Sequence, residues 1–185
     1  MYINAKKKLL ISEIVKIGLD IPFQSVKAKV LISLNEKGSL EQRLSMTFSP
    51  NIIPISSKGL YTIYASKDGI DECLYVGESD YCVSQRIRRF FRGLTSCNRP
   101  DEDHPAASKA KRDGYSLDTH TFKVKWIPWS IIVESAKKLN IDETDEDIMC
   151  ELDSDISYFV KSKYNYTTYM MYGYNCATLK DFLGG

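Results

Sequence analysis

Apolar and polar positions along the chain of 185 residues switch between two periods, and each switch marks an element. Between Lys6 and Leu19, Leu10, Ile14 and Ile17 recur at i, i+4 and i+7 with Ile11 beside them, as on a helix with one apolar face. Val26 to Ser33 and Leu40 to Phe48 read as strands around the turn residues Asn35-Glu36-Lys37-Gly38, and Pro50 and Pro54 mark the boundary after them. Two further runs, Gly59-Leu60-Tyr61-Thr62-Ile63-Tyr64 and Cys73-Leu74-Tyr75-Val76-Gly77, are rich in aromatic and β-branched residues and enclose an Asp68-Gly69 turn signal, so they form a second hairpin. A register centred on Asp68 sets Tyr61 opposite Tyr75. Both phenols and Gly77 then line one surface, with room for a ligand against the backbone.

From Cys82 to Leu94 the apolar residues Val83, Ile87, Phe90, Phe91 and Leu94 make one helical stripe, and Arg86, Arg88, Arg89 and Arg92 share that helix. At about 100° per residue, Arg86 falls at the stripe's edge beside Phe90, while Arg88 and Arg92 point outward. Thr95 to Pro105 is polar and contains Asp101-Glu102-Asp103-His104, which reads as a loop; His104 could supply an imidazole from it, though a lone histidine in an acidic loop is more often solvated. A helix follows from Pro105 to Asp113, with proline in its first turn and Gly114 near its end. Thr121 to Trp129 alternates as a strand. A last helix begins near Thr144, where Asp147 three residues on completes a capping signal, and Ile148, Leu152, Ile156 and Phe159 define its buried face. Glu151 lies on the flank of that face, about 60° round from Ile148.

Composition narrows the classes. The length suits one globular, soluble domain or one domain with an extension, and no run approaches a membrane span. The start is too interrupted by charge for a secretory signal peptide, which points to the cytoplasm. Cys73, Cys82, Cys97, Cys150 and Cys176 are scattered without a CxxC pair, against a disulfide framework or a structural zinc site. A net charge of +1 supplies no general attraction to nucleic acid, so any such binding has to come from a local basic patch.

One ordered set of residues resembles the GIY-YIG nuclease family: Gly59-Leu60-Tyr61 on a first strand, Tyr75-Val76-Gly77 on a second, and Arg86 on the following helix. Arg86-Ile87-Arg88-Arg89-Phe90-Phe91 is similar to the family's Arg-aliphatic-x-x-His/Tyr-aromatic segment, with Phe90 at the polar ring position and Glu78 after the glycine as departures. The resemblance spans roughly Lys58 to Asn165. It implies an α/β (α+β) fold with a small central antiparallel sheet of three strands flanked by helices. Residues 1-55 would form an N-terminal helix and hairpin extension to a nuclease domain at 56-185.

The resemblance also implies a chemistry, DNA phosphodiester hydrolysis in a phage endonuclease or small restriction-type enzyme. Glu151 would hold one Mg²⁺ (or Mn²⁺), with Asp155 one turn on as the alternative ligand. Arg86 would clamp the phosphate, for which a planar guanidinium has the right donors. Tyr61 would act as general base or water-positioning phenol and Tyr75 would support it. Ionising a phenol at neutral pH costs roughly 4 kcal/mol, which the arginine and cation would have to offset. Gly77, Arg88, Arg89 and Asn165, with Asn175 as alternative to the last, would line the DNA site. The competing expectation, raised by Glu78, Phe90 and the acidic entrance to the last helix, is an inactive scaffold that binds DNA or protein.

Overall fold

The computed structural model describes residues 5-50, 57-95 and 104-142, and near the C-terminus residues 152, 155-156, 160 and 162-165. Within them lie α1 (Ala5–Asp20), β1 (Gln24–Leu34), β2 (Leu40–Ser49), β3 (Gly59–Lys67), β4 (Ile70–Ser79), α2 (Val83–Thr95), α3 (Pro105–Arg112), β5 (Thr121–Pro128) and α4 (Trp129–Lys138). The strands form a single sheet of five in the order β2-β1-β5-β3-β4, with every neighbouring pair antiparallel. The fold is α+β, as expected, but the sheet of three strands is corrected to five. Gln24, Ser25 and Val26 pair with Val124, Lys123 and Phe122, so the N-terminal hairpin covers the β5 edge that a sheet of three would leave open.

Alternation along the strands divides the core into two. On one face Tyr61, Ile63, Ala65, Phe122 and Val124 meet Val83, Ile87, Phe90 and Phe91 of α2 and Ala107 and Ala110 of α3. On the other, Leu60, Cys73, Val76 and Ile127 meet Leu10, Ile11 and Ile14 of α1 and Ile132 and Ala136 of α4, together with Leu152 and Ile156. Two lysines fasten α1 there. Lys125 donates to the carbonyls of Gly18 at 2.8 Å and Leu19 at 3.2 Å, which are the acceptors a helix C-terminus leaves open. Lys7 pairs with the carboxylate of Asp155 at 2.9 Å, both side chains being nearly buried.

Helix α4 is absent from the sequence reading. Its Ile131-Ile132-Val133 run has strand propensity, yet Ile132, Ser135 and Ala136 are buried at helical spacing. The helix expected from Thr144 lies largely outside the described residues. Leu152, Asp155 and Ile156 are helical and buried, and Leu152 and Ile156 belong to the face that the spacing assigned them to.

Candidate active site at the β3-β4 hairpin

The hairpin turns at Asp68-Gly69, both in the left-handed region, with φ of 53° and 81°. That geometry matches a two-residue turn and pairs Lys67 with Ile70. The register then shifts between Ile63 and Tyr64: Tyr64 pairs with Cys73 but Ile63 pairs with Tyr75, leaving Leu74 as a bulge. Tyr61 therefore stands opposite Gly77, not Tyr75, which corrects the expected register by two residues. The bulge restores the shared face, and the two phenol rings lie 6.1 Å apart between centroids.

Gly77 has a different use from the one expected. A Cβ built there would lie 2.6 Å from Tyr61 Oη and 2.7 Å from Tyr75 Cε1, so the space above its backbone is filled by the two rings and not left for a ligand. Tyr61 is only 2% exposed and belongs to the core, whereas Tyr75 is half-buried. Glu78 pairs with Leu60 and so projects from the opposite face to Gly77. Its charge is directed away from the phenols.

The aromatic contacts orient α2. Phe90 stacks on Tyr75 at 6.1 Å and 28°, toward β4, while Phe91 meets Phe122 of β5 edge-on at 5.2 Å. Arg86 sits one turn before Phe90, about 40° round the helix, so it lies on the Tyr75 flank, and it is exposed. Arg89 lies farther round on that side. Arg88 is on the other flank, where its guanidinium donates to the Leu44 carbonyl of β2 at 3.4 Å. Half-buried there, it does not point outward as expected. Ser79 sets the start of the helix by accepting from the backbone N–H of Cys82 at 2.7 Å.

His104, of whose two readings solvation is the commoner, enters the same cluster. Its ring stands edge-on to Tyr75 at 5.0 Å and to Phe90 at 5.3 Å, just before α3. An imidazole thus arrives from another element next to the ring position that Phe90 leaves apolar. No local sequence signal could have placed it, because the approach depends on α3 packing against α2.

Asn165 lies at the β4 edge. Its Oδ1 accepts from the Val76 N–H at 2.8 Å and its Nδ2 donates to the Val76 carbonyl at 2.8 Å, so the amide is engaged by backbone instead of facing the phenols. Ser162 shares its proton between the carbonyl of the bulged Leu74 at 3.1 Å and Asn165 Oδ1 at 2.7 Å. Nearer the hairpin tip, Lys163 donates to Tyr115 at 2.7 Å and pairs with Glu72 at 3.4 Å, while Tyr115 donates to Glu72. Burial, then the Glu72 carboxylate, pushes the Tyr115 phenol up. This network ties the C-terminal segment to the strand.

Glu151 and Asn175 lie outside the described residues. Asp155 is buried against the Lys7 ammonium, and no group of three or more His, Cys, Asp or Glu stands together among the described residues. No helix among them is long and apolar enough to cross a membrane. No family model, curated protein or solved structure matches the chain.

Proposed function

We propose that this protein is an endonuclease that hydrolyses DNA phosphodiester bonds at a GIY-YIG-type site on the β3-β4 hairpin, acting in the cytoplasm as a phage or restriction-type enzyme. The observation that carries the reading is the convergence of Tyr61 and Tyr75 over Gly77, with Arg86 exposed on the flank of α2 that faces Tyr75. A phosphodiester needs a cationic fork for its oxygens and a group that positions or deprotonates water. Arg86 supplies the fork and Arg89 adds charge beside it. Tyr75 is the more accessible phenol, with Tyr61 packed behind it. His104 at the Tyr75 ring brings an imidazole that can take the proton in place of a phenol. Dependence on Mg²⁺ or Mn²⁺ through Glu151 is part of the proposal.

A second reading, an inactive scaffold that binds DNA or protein, draws support from the near-complete burial of Tyr61. Incubating the pure protein with plasmid and phage DNAs, with Mg²⁺ or with a chelator, separates the two. Nicked or linear products that disappear with chelator are expected. DNA retained on the protein with no strand breaks under either condition would establish the second reading.

A further inference from the structure

Charge is unevenly shared among the elements. The chain has 25 lysines and arginines against 24 acids, yet α2 and α3 together carry seven of the basic residues and no Asp or Glu. Both helices pack on the sheet face that bears Tyr61 and Tyr75. The helical layer over the phenols is therefore cationic, although the whole chain is almost neutral.

Position links the two helices. His104, the residue before α3, stands against Tyr75 and Phe90, on the flank of α2 that carries Arg86 and Arg89. At the other end of α3, Tyr115 donates to Glu72 near the β3-β4 turn. Helix α3 thus runs along β4 from the phenols toward that turn, and its eight residues cover about 12 Å. One strand of duplex DNA advances about 3.4 Å along the axis per phosphate, so three or four phosphates, in rough terms, fit beside that length.

The side chains repeat one arrangement. Arg86 and Arg89 on α2 are three residues apart, about 60° round the helix, and Lys109 and Arg112 on α3 have the same spacing. The buried face of α3 is Ala106, Ala107 and Ala110, which leaves Lys109 half-buried at its edge and Arg112 exposed. Among the described residues none of these four cations forms an ion pair. Lys123 and Lys163, by contrast, are held by Asp71 and Glu72, so the carboxylate beside Tyr115 is already matched within the chain.

We infer that Lys109 and Arg112 form a second phosphate site for duplex DNA, holding the backbone that continues from Arg86 toward the β3-β4 turn. Cations that touch no reacting atom act on affinity and its salt dependence, not on the chemical step. The inference rests on the DNA reading of the hairpin site, and it is tested without cleavage.

Binding of a fluorescent duplex to the pure protein, with chelator present, is followed by anisotropy over a range of salt concentrations. Lys109→Ala with Arg112→Ala should weaken binding about tenfold and lower the slope of log affinity against log salt by about 2, as the loss of two phosphate contacts requires. Arg112→Ala alone should lower it by about 1. Lys109→Arg with Arg112→Lys keeps both charges and should keep the wild-type slope. Lys27→Ala with Lys29→Ala makes the same change in net charge on the opposite face of the sheet and should also keep it. Alanine favours helix, so the α3 variants should retain the wild-type circular dichroism. A slope unchanged in the α3 variants, or lowered equally by the Lys27 and Lys29 pair, overturns the inference. So does a wild type that binds no duplex. A slope lost with Lys109 and Arg112, in a protein that cuts no DNA with Mg²⁺, would support the second phosphate site while rejecting the nuclease reading.

Discussion

The Asn165 carboxamide bonds both backbone groups of Val76, at 2.8 Å each, and so stands in for one residue of a neighbouring strand at the β4 edge. Asn165→Ala should remove both bonds and leave Val76 to water, costing about 1–3 kcal/mol in urea unfolding. Cleavage per folded molecule should change little. A normal stability with a large loss of turnover would return Asn165 to the DNA site that the resemblance assigned it.

How far the sequence carried depends on the range of each interaction. Both hairpins were legible because alternation and turn chemistry are local: Asp68-Gly69 announces its own backbone. The pairing of Gln24–Val26 with β5 was not, since nothing near Val26 names Phe122 as partner. The Leu74 bulge leaves no mark in an apolar run, so the register came out two residues away while the shared face of the phenols came out right. Helical spacing put Arg86 at the stripe's edge and Arg88 outward, but which flank of α2 each takes depends on the directions of Phe90 and Phe91.

Gly77→Ala tests whether the two phenols depend on that glycine. The new methyl would fall 2.6 Å from Tyr61 Oη and 2.7 Å from Tyr75 Cε1, so a ring or the strand has to move. A loss of about 1–3 kcal/mol is expected, with cleavage falling further than stability explains. An unperturbed melting temperature would mean that the rings yield freely.

Arg86→Lys and Arg88→Lys should separate by flank. The first replaces a bidentate donor with a point charge on the Tyr75 side and should lose most turnover. The second loses a contact to the Leu44 carbonyl and should lower stability slightly with near-normal cleavage. Equal rates for wild type and the Arg86 variant would reduce that residue to a surface charge.

Burial pushes the Cys73 thiol up to about 12. Between the ordinary thiol value, about 8.5, and that figure, the unfolded chain releases a proton that the native state keeps. Stability contributed at this position is therefore full below the unfolded value and declines as pH rises. In urea unfolding, Cys73→Ala should be less stable than wild type at pH 7, and the gap should narrow by about 1–2 kcal/mol by pH 10. A gap independent of pH would show the thiol ionising equally in both states.

The last test divides the labour among Tyr61, Tyr75 and His104. Tyr61 is walled into the core and Tyr75 is half-buried with the imidazole of His104 against its ring. If proton transfer runs through the accessible pair, Tyr75→Phe and His104→Ala should each slow cleavage by the roughly 10² to 10⁴-fold typical of losing an acid or base. Neither should unfold the protein: the phenylalanine ring still packs on Phe90, and the His104 side chain makes no capping hydrogen bond to α3. Tyr61→Phe should keep most of the rate, its hydroxyl serving position more than chemistry. The opposite ranking, with Tyr61→Phe crippled and both other variants near wild type, would put the base on Tyr61 and make His104 a packing residue.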